Sequence, residues 1–285
     1  MPRATFSVRL HDFIISSGGI RVFPRLVAAE HRKPFAGRIV QSGISAVDQL
    51  LGGGIVAGSS TLIIGPAGTG KSLLSLHYLN AAVARGERAA MFVFDEELGL
   101  LLARAKGLGI VLAAMRAKNS LFIEQMDAAE LTPGEFSHRV RACVDRERIR
   151  TVVIDSLNGY QAAMPEEQFL ILHLHELLQY LNRQGAATFL TVAQHGMIGD
   201  MKQTIDVTYL ADTVIMLRYF EALGHVRRAI SVIKKRTGSH EDTIREFRIN
   251  DGGLEVGPAL EAFQGVLRGV PTYVGERGPL MREDA

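Results

Sequence analysis

The sequence predicts an α/β fold with a mostly parallel central sheet, flanking helices and an antiparallel β extension near the C-terminus. Three observations carry this prediction. A glycine-rich phosphate-binding motif stands between a strand-like and a helix-like run, apolar strands alternate with helices through the middle of the chain, and β-rich runs follow one another after about residue 210. With 285 residues, 47% of them hydrophobic, the chain can bury the core that such a fold needs.

The glycine-rich motif at residues 65–72 satisfies G-x-x-x-x-G-K-[ST], the P-loop pattern, and it stands between a strand-like run (60–64) and a helix-like run (73–84). Its glycines let backbone N–H groups turn toward phosphates, and the helix N-terminus adds partial positive charge. We expect Lys71 to reach the β- and γ-phosphates and the Ser72 hydroxyl to hold Mg²⁺. The residues predicted to bind nucleotide here are Gly65, Pro66, Ala67, Gly68, Thr69, Gly70, Lys71, Ser72 and Leu73.

Short apolar runs and helix-start signals predict the next elements in order. Strands are expected at 89–94, 121–124, 151–155 and 187–193. Helices are expected at 98–106, from a capping box at 132–135 to about residue 148, and at 166–184. Such alternation indicates parallel strands with helices on both faces.

The pattern changes after about residue 210. Two β-rich runs, 212–221 and 226–235, are joined by a short glycine-containing turn and predict a hairpin. Further strands are expected at 244–249 and 254–256. The tail, 271–285, is rich in proline, glycine and charge, so we expect it to be flexible.

An internal repeat links the two ends of the chain. Residues 13–24 align without gaps to residues 247–258, with coincident phenylalanine, isoleucine, glycine pair, valine and proline. The second copy closes the predicted domain, so the first copy resembles the closing hairpin of a preceding domain. The alternative is a common β-turn-β pattern that matches by chance.

Acidic and amide side chains follow three of the predicted strands. Asp155 should lie at the ligand crevice beside the P-loop and support Mg²⁺, partly through water. Asp95, Glu96 and Glu97 follow the strand after the P-loop helix, and at least one should orient and deprotonate the attacking water. The alternative is acids that merely favour a helix N-terminus. Gln194 could sense the γ-phosphate or water by hydrogen bonding.

Residues 234–240 form a basic strand end that runs into a polar turn. This could be a solvated edge strand, which lysine commonly protects. It could instead supply an arginine finger, Arg236, that stabilises γ-phosphate charge in the same or a neighbouring subunit.

Composition limits the remaining functions. A net charge of +2 gives no strong attraction to nucleic acid or membranes, and no apolar run approaches the length of a membrane span. The N-terminus has no apolar signal core, and Cys143 is the only cysteine. We therefore expect a cytoplasmic protein.

Together these residues resemble the RecA-like P-loop ATPases, and specifically the KaiC family, over about residues 38 to 274. The matching segments are 43–54, Asp95-Glu96, Asp155-Ser156, Asp212-Thr213, Lys234-x-Arg236 with His240, and 244–247. The late segments exclude most other P-loop families.

The resemblance implies an ATP- and Mg²⁺-dependent homohexamer with ATP at subunit interfaces. Lys234, Arg236 and His240 would then act on a neighbour's nucleotide, and Asp95 with Glu96 would be the catalytic acidic pair. It also implies three parts: residues 1–37 as the end of a preceding RecA-like domain, residues 38–270 as the ATPase domain, and the tail.

This sequence departs from the family in two places. The family's acidic pair is Glu-Glu, whereas here it is Asp-Glu. Where the clock protein has a Ser-Thr phosphorylation pair, the matching positions are Thr208 and Tyr209. A dedicated timing cycle is therefore not expected.

Three functions compete. The first is an ATP-hydrolysing oligomeric switch whose nucleotide state controls regulatory protein partners. The second is a kinase that autophosphorylates Thr208 or a nearby hydroxyl. The third is a RecA- or RadA-like DNA-binding recombinase, which is disfavoured because residues 194–203, expected to face the ring centre, contain one lysine, no arginine and no aromatic residue.

Overall fold

The computed structural model describes residues 11–24, 26, 37–129, 131–162, 167–194, 207–222, 224–250, 252–268 and 271–274. Within them the strands are β1 (Asp12–Ser16), β2 (Gly19–Phe23), β3 (Ile39–Val40), β4 (Ile55–Val56), β5 (Ser60–Gly65), β6 (Ala89–Val93), β7 (Leu121–Gln125), β8 (Thr151–Asp155), β9 (Ala187–Ala193), β10 (Thr213–Ala222), β11 (His225–Lys235), β12 (Ile244–Asn250), β13 (Gly253–Ala259), β14 (Phe263–Gln264) and β15 (Thr272–Tyr273). The α-helices are α1 (Ser45–Leu50), α2 (Lys71–Ala84), α3 (Leu98–Gly107), α4 (Leu112–Ala117), α5 (Pro133–Glu147), α6 (Leu157–Ala162) and α7 (Glu167–Arg183).

A single sheet holds nine of these strands in the order β13-β12-β11-β10-β5-β9-β8-β6-β7. Strands β5 to β10 run parallel to one another, and β11, β12 and β13 continue the sheet antiparallel. The predicted architecture is therefore confirmed. The ends of β5, β9, β8 and β6 are neighbours at one edge of the sheet, which we call the carboxyl edge; the starts of these strands form the opposite, amino edge.

The sheet is buried on both faces. On β5, Ile63 packs into a core with α1, α2, α3 and α4, whereas Leu62 and Ile64 pack into a second core with α5, α6 and α7. Apolar side chains at consecutive positions are what a parallel strand covered by helices on both faces requires. Helices thus hold the central strands from both faces, and functional residues can lie in the loops at the strand ends.

The predicted strands at 151–155 and 187–193 have these bounds in the structure. The predicted capping box is also confirmed, since the Thr132 side chain accepts a hydrogen bond from the Glu135 N–H at 3.2 Å. Helix α2 begins at Lys71, two residues before its predicted start, because Gly70 takes a left-handed φ of 102° and ends the loop there.

Several short elements were not predicted: α1, α4, α6, β3 and β4. At the start of the expected flexible tail, Thr272 and Tyr273 pair with β14. The Tyr273 ring packs edge-on against Phe263, with centroids 5.2 Å apart, and this contact fixes the segment. Residues 275–285 of that tail lie outside the described residues.

Both copies of the sequence repeat fold as β-hairpins of the same register. Ser16 pairs with Gly19 in the first, and Asn250 pairs with Gly253 in the second. These two glycines have φ of 104° and 108°, a conformation that L-residues with a side chain rarely adopt. The copies nevertheless pack in different places: β1–β2 lies against α5, whereas β12–β13 lies against α1 and α2.

Candidate functional site

The P-loop leaves the carboxyl edge at the end of β5 and enters α2. Gly68 and Gly70 have φ of 77° and 102°. A Cβ atom on Gly68 would lie 2.8 Å from the Tyr219 hydroxyl, and one on Gly70 would lie 2.8 Å from Cδ1 of Ile249. The backbone conformation therefore favours glycine at both positions, and a side chain at either would have to displace the end of a neighbouring side chain, as expected in a tight phosphate-binding loop.

The start of α2 has the character of an anion site. No side chain caps the helix, so its first backbone N–H groups remain available to a ligand in the loop. The Lys71 side chain is buried beneath the loop, where its Nζ donates to the Pro66 carbonyl oxygen at 2.8 Å. Burial lowers the pKa of Lys71, and the Asp155 carboxylate opposes that shift. A phosphate bound in the loop would favour the charged form of this lysine.

Gln194 lies beside the P-loop, directly after β9. Its backbone N–H donates to the Gly65 carbonyl oxygen at 3.0 Å. Its side chain is buried, and its Oε1 has no hydrogen-bond partner among the described residues. A buried amide oxygen rarely stays without a partner, so a water or a polar ligand beside the P-loop would satisfy it.

Asp155 ends β8, next to β9 in the sheet. It is buried and accepts a hydrogen bond from the Thr191 hydroxyl on β9. Its charge opposes the lowering of the Lys71 pKa by burial and adds to the raising of the Arg104 pKa that Glu96 chiefly causes, so Asp155 lies within electrostatic range of the P-loop and of α3. A buried carboxylate near a helix N-terminus and a lysine is a hard-oxygen site of the kind that Mg²⁺ prefers.

The three acids that follow β6 have different partners. Asp95 accepts a hydrogen bond from the Ser156 hydroxyl. Glu96 accepts two from Arg104, at 3.0 Å from Nε and 2.6 Å from Nη2. Glu97 is the N-cap of α3 and accepts a hydrogen bond from the Leu100 N–H at 3.0 Å. For Glu97 this geometry agrees with the alternative given above, an acid that favours a helix N-terminus.

Arg104 is a member of this site that the sequence analysis missed. It reaches back from the second turn of α3 to Glu96, and the hydrogen bonds and charge of Glu96 raise its pKa. The available signal was an arginine eight residues after the acid, which has no meaning until α3 is known to begin between them. Arg104 holds the Glu96 carboxylate at the carboxyl edge.

The basic segment lies at the other edge of the sheet. Thr213, the first residue of β10, pairs with Lys235 on one side and Thr61 on the other. Thr61 precedes Gly65 by four residues, about 13 Å along the strand at roughly 3.3 Å per residue. Arg236 continues beyond Lys235, and its N–H donates to the Asp212 carbonyl oxygen at 2.8 Å. Lys234, Arg236 and His240 are therefore remote from the P-loop of their own chain.

The cations of this segment hold residues 208–212 at the amino edge. Lys234 Nζ donates to the carbonyl oxygens of Thr208 and Ala211, at 3.0 and 2.7 Å. Arg236 Nη2 donates to the Tyr209 carbonyl oxygen at 2.9 Å, yet its side chain remains 53% exposed. The Nδ1 of His240 lies 2.8 Å from the Glu241 carbonyl oxygen.

The structure thus brings together the P-loop, Gln194, Asp155, Asp95 and Glu96, because each follows one of four neighbouring parallel strands. It does not bring Lys234, Arg236 and His240 to them. Apart from Gln194, the predicted ring-facing loop 194–203 lies outside the described residues.

A family model described as "ATPase: KaiC" matches residues 40–261, more than half of the chain. The chain belongs to the KaiC ATPase family. It is 29% identical over 265 residues to the circadian clock oscillator protein KaiC of Acaryochloris marina, covering 93% of this chain and 50% of that protein. It is 28% identical over 275 residues to KaiC of Synechococcus elongatus, covering 95% of this chain and 53% of that protein. The chain thus spans about half the length of the KaiC relatives that it matches.

The family match agrees with the fold and with the P-loop. The matched region is a RecA-like ATPase domain, as the resemblance in the sequence implied, and the chain is a P-loop ATPase. No helix in the described part of the chain is long and apolar enough to cross a membrane.

Proposed function

We propose that this protein is an ATP-hydrolysing oligomeric switch that binds ATP with Mg²⁺ between adjacent subunits of a homohexamer and signals through regulatory protein partners in the cytoplasm. One observation carries the proposal. The P-loop and the acids lie at the carboxyl edge of the sheet, whereas Arg236, the candidate arginine finger, lies at the amino edge, about 13 Å or more away at roughly 3.3 Å per residue. Only a neighbouring copy can bring them together.

The P-loop residues would bind the phosphates. Backbone N–H groups of the loop and of the α2 N-terminus would donate to the phosphate oxygens, with Lys71 supplying a buried positive charge. Ser72 and Asp155 offer a hydroxyl and a buried carboxylate, the oxygen donors that Mg²⁺ prefers, so these residues fit the ion. When bound, Mg²⁺ neutralises charge on the β- and γ-phosphates.

Glu96 would position the attacking water and accept its proton. Its carboxylate is already oriented by two hydrogen bonds from Arg104, and Asp95 is held by Ser156, which directly follows the neighbouring strand β8. Gln194, with its buried and unsatisfied Oε1, would hydrogen-bond the water or sense the γ-phosphate. These roles are assigned from the resemblance to the family's acidic Glu-Glu pair. Asp95 takes the place of the first glutamate and is one methylene shorter.

Arg236 of the adjacent subunit would stabilise charge on the γ-phosphate in the transition state. Lys234 and His240 of the same segment would add contacts to that nucleotide. The exposure of Arg236 in the single chain supports this role, since a residue acting on a neighbour must reach outward. A ring closes such a head-to-tail contact without free ends.

The kinase alternative has some support of its own. Thr208 lies at the amino edge, in the segment held by Lys234 and Arg236. If those cations face a neighbour's ATP, Thr208 lies near it as well and could accept its γ-phosphate. The recombinase alternative gains no such support.

The domain division is also proposed here. Residues 38–270 would form the ATPase domain, with residues 1–37 as an element derived from the end of a preceding RecA-like domain and residues 271–285 as a C-terminal tail. The two hairpins of the same register support this division.

Replacing Lys71 tests the nucleotide assignment. Lys71→Ala should lose most ATP affinity, because it removes the positively charged side chain that would contact the β- and γ-phosphates. The matched control is Lys118→Ala, which removes an exposed lysine after α4 and should bind ATP normally. Binding would be measured by calorimetry with Mg²⁺ present. Unchanged affinity in a folded Lys71→Ala protein would contradict the assignment.

A further inference from the structure

Arg104 contacts Glu96 along one side of its guanidinium group and leaves the other side open. Its Nε donates to Glu96 Oε1 at 3.0 Å, and its Nη2 donates to Oε2 at 2.6 Å. These are the hydrogen bonds that Arg104 makes within the described part of the chain, and neither uses Nη1. Because a guanidinium group carries five N–H donors, both donors of Nη1 and one of Nη2 remain for a ligand.

Helix α3 places Arg104 on the same face of the sheet as the P-loop helix. Leu101 and Ala105 of α3 are buried in the core that also contains Leu73 of α2. Glu96, which Arg104 contacts, follows β6 at the carboxyl edge, and the P-loop enters α2 from that same edge. The guanidinium group is therefore at the nucleotide end of the sheet, on the side that α2 covers.

The carboxylate of Asp155 links Arg104 electrostatically to the P-loop. Its charge adds to the raising of the Arg104 pKa, behind the larger effect of Glu96, and it opposes the lowering of the Lys71 pKa by burial. The interaction between charges weakens with distance, so both cations lie near this one carboxylate. The terminal phosphate of a nucleotide in the P-loop would enter a region with a cation from α2 and another from α3.

The open side of Arg104 has the chemistry that a phosphate group requires. Its side chain is 37% exposed, so a ligand can reach it from solvent. A guanidinium group binds phosphate oxygens through paired, charge-assisted hydrogen bonds in a fixed plane. The two hydrogen bonds to Glu96 already fix that plane, so little side-chain freedom would be lost on binding.

We propose that Arg104 binds the γ-phosphate of ATP through Nη1 while its Nε and Nη2 keep their hydrogen bonds to Glu96. Each chain then supplies one arginine to its own nucleotide, in addition to Arg236 of the adjacent subunit. This inference rests on the proposed nucleotide site at the P-loop, but not on the role of Glu96 as the base or on the hexamer. The bridge sets the distance between the γ-phosphate and the Glu96 carboxylate, and it distinguishes ATP from ADP.

The affinity for ATP relative to ADP tests this contact, because only ATP carries a γ-phosphate. Binding would be measured by calorimetry with Mg²⁺, using ADP and the β,γ-imido analogue of ATP, which resists hydrolysis. Arg104→Gln should weaken binding of the analogue roughly 10- to 100-fold, the loss expected for a hydrogen bond to a charged group, and should change ADP binding by less than about twofold. An unchanged ratio of the two affinities in the folded variant would overturn the proposal.

Two further variants make the test specific. Lys106→Gln removes an exposed cation from the same helix, about 200° around its axis from Arg104 at 3.6 residues per turn, and should leave both affinities unchanged. Arg104→Lys keeps a positive charge but not the planar group, so it should retain part of the preference for the analogue over ADP. If Lys106→Gln and Arg104→Gln lower that preference equally, the effect is one of general charge and the proposed contact is wrong.

A double-mutant comparison separates direct contact from an effect through Glu96. If Arg104 contacts the phosphate, Arg104→Gln should also weaken binding of the analogue in the Glu96→Ala protein, where there is no carboxylate left to position. If Arg104 acts only by holding Glu96, its replacement has no further effect there, and the proposal fails. ADP binding that is lost in Lys71→Ala but kept in Arg104→Gln would show that the P-loop site is intact, so a negative result would reject the Arg104 contact without rejecting the nucleotide site.

Discussion

Replacing each of the three acids after β6 in turn should separate catalysis from structure. Glu96→Gln should lower ATP turnover by about 10²–10⁴-fold, the usual loss on removing a general base. At about 1.4 kcal/mol per tenfold, this corresponds to about 3–5 kcal/mol of the activation barrier. ATP binding should survive, because the carboxylate contacts Arg104 and would, in the proposed mechanism, contact the attacking water rather than the phosphates.

The structure also bounds the effect of this change on folding. The paired side chains of Arg104 and Glu96 are 37% and 28% exposed, and such a partly exposed ion pair contributes about 1 kcal/mol or less. Glutamine keeps an oxygen that can accept one of the two hydrogen bonds. The melting temperature should therefore fall by a few degrees at most, about 2–4 °C per kcal/mol, and cannot explain a hundredfold loss of rate.

Glu97→Gln is the matched control. It keeps a cap oxygen for the Leu100 N–H and loses only the charge at the start of α3, so it should cost roughly 0.5 kcal/mol and leave turnover normal. Asp95→Asn should lower turnover less than Glu96→Gln does, because Asp95, which accepts a hydrogen bond from Ser156, only assists Glu96 in the proposed mechanism. The assay is steady-state phosphate release beside calorimetric ATP binding. A dead Glu97→Gln and a normal Glu96→Gln would show that the catalytic position is wrong by one residue.

Two further predictions concern phosphorylation and pH. Little stable phosphate should accumulate on Thr208 after incubation with ATP, because the family's threonine position is held by Tyr209, whose hydroxyl lies farther from the backbone; stoichiometric phosphate on Thr208 by mass spectrometry would instead support the kinase. Burial lowers the pKa of His77 below its usual 6.5, so the unfolded chain binds more protons, and stability should fall as pH drops below about 6.5 through the folded pKa. His77→Gln should flatten this loss in thermal unfolding between pH 7.5 and 5.5, and an unchanged slope would assign the acid sensitivity to other groups.

The sequence predicted the central strands well because their environment is simple. Strands β8 and β9 are short apolar runs buried on both faces, and no other element type fits such runs between helices. Helix α5 was found from its capping box. By contrast, α1 has no side-chain cap and six residues, so its stability comes from packing against β13 and α2, which the sequence does not display.

The carboxyl-edge part of the site was predictable for a topological reason. Once parallel strands are assumed, the residues after β5, β6, β8 and β9 must meet at one edge. The location of Arg236 at the opposite edge was not predictable, because it depends on β10 pairing parallel to β5 and β11 returning antiparallel beside it. Arg104 was missed since its contact with Glu96 exists only after α3 has formed.

The most direct test of a nucleotide site shared between subunits is to mix two inactive variants. Arg236→Ala keeps Glu96, and Glu96→Gln keeps Arg236. An interface is therefore complete when the Arg236→Ala subunit supplies Glu96 and the adjacent Glu96→Gln subunit supplies Arg236. At equal amounts with random mixing, roughly a quarter of the interfaces in a ring should be complete, and turnover should return to about that fraction of the unmutated protein. Subunit exchange would be verified by native mass spectrometry. Recovered phosphate release is the predicted result; no recovery in rings proven to be mixed would contradict the account.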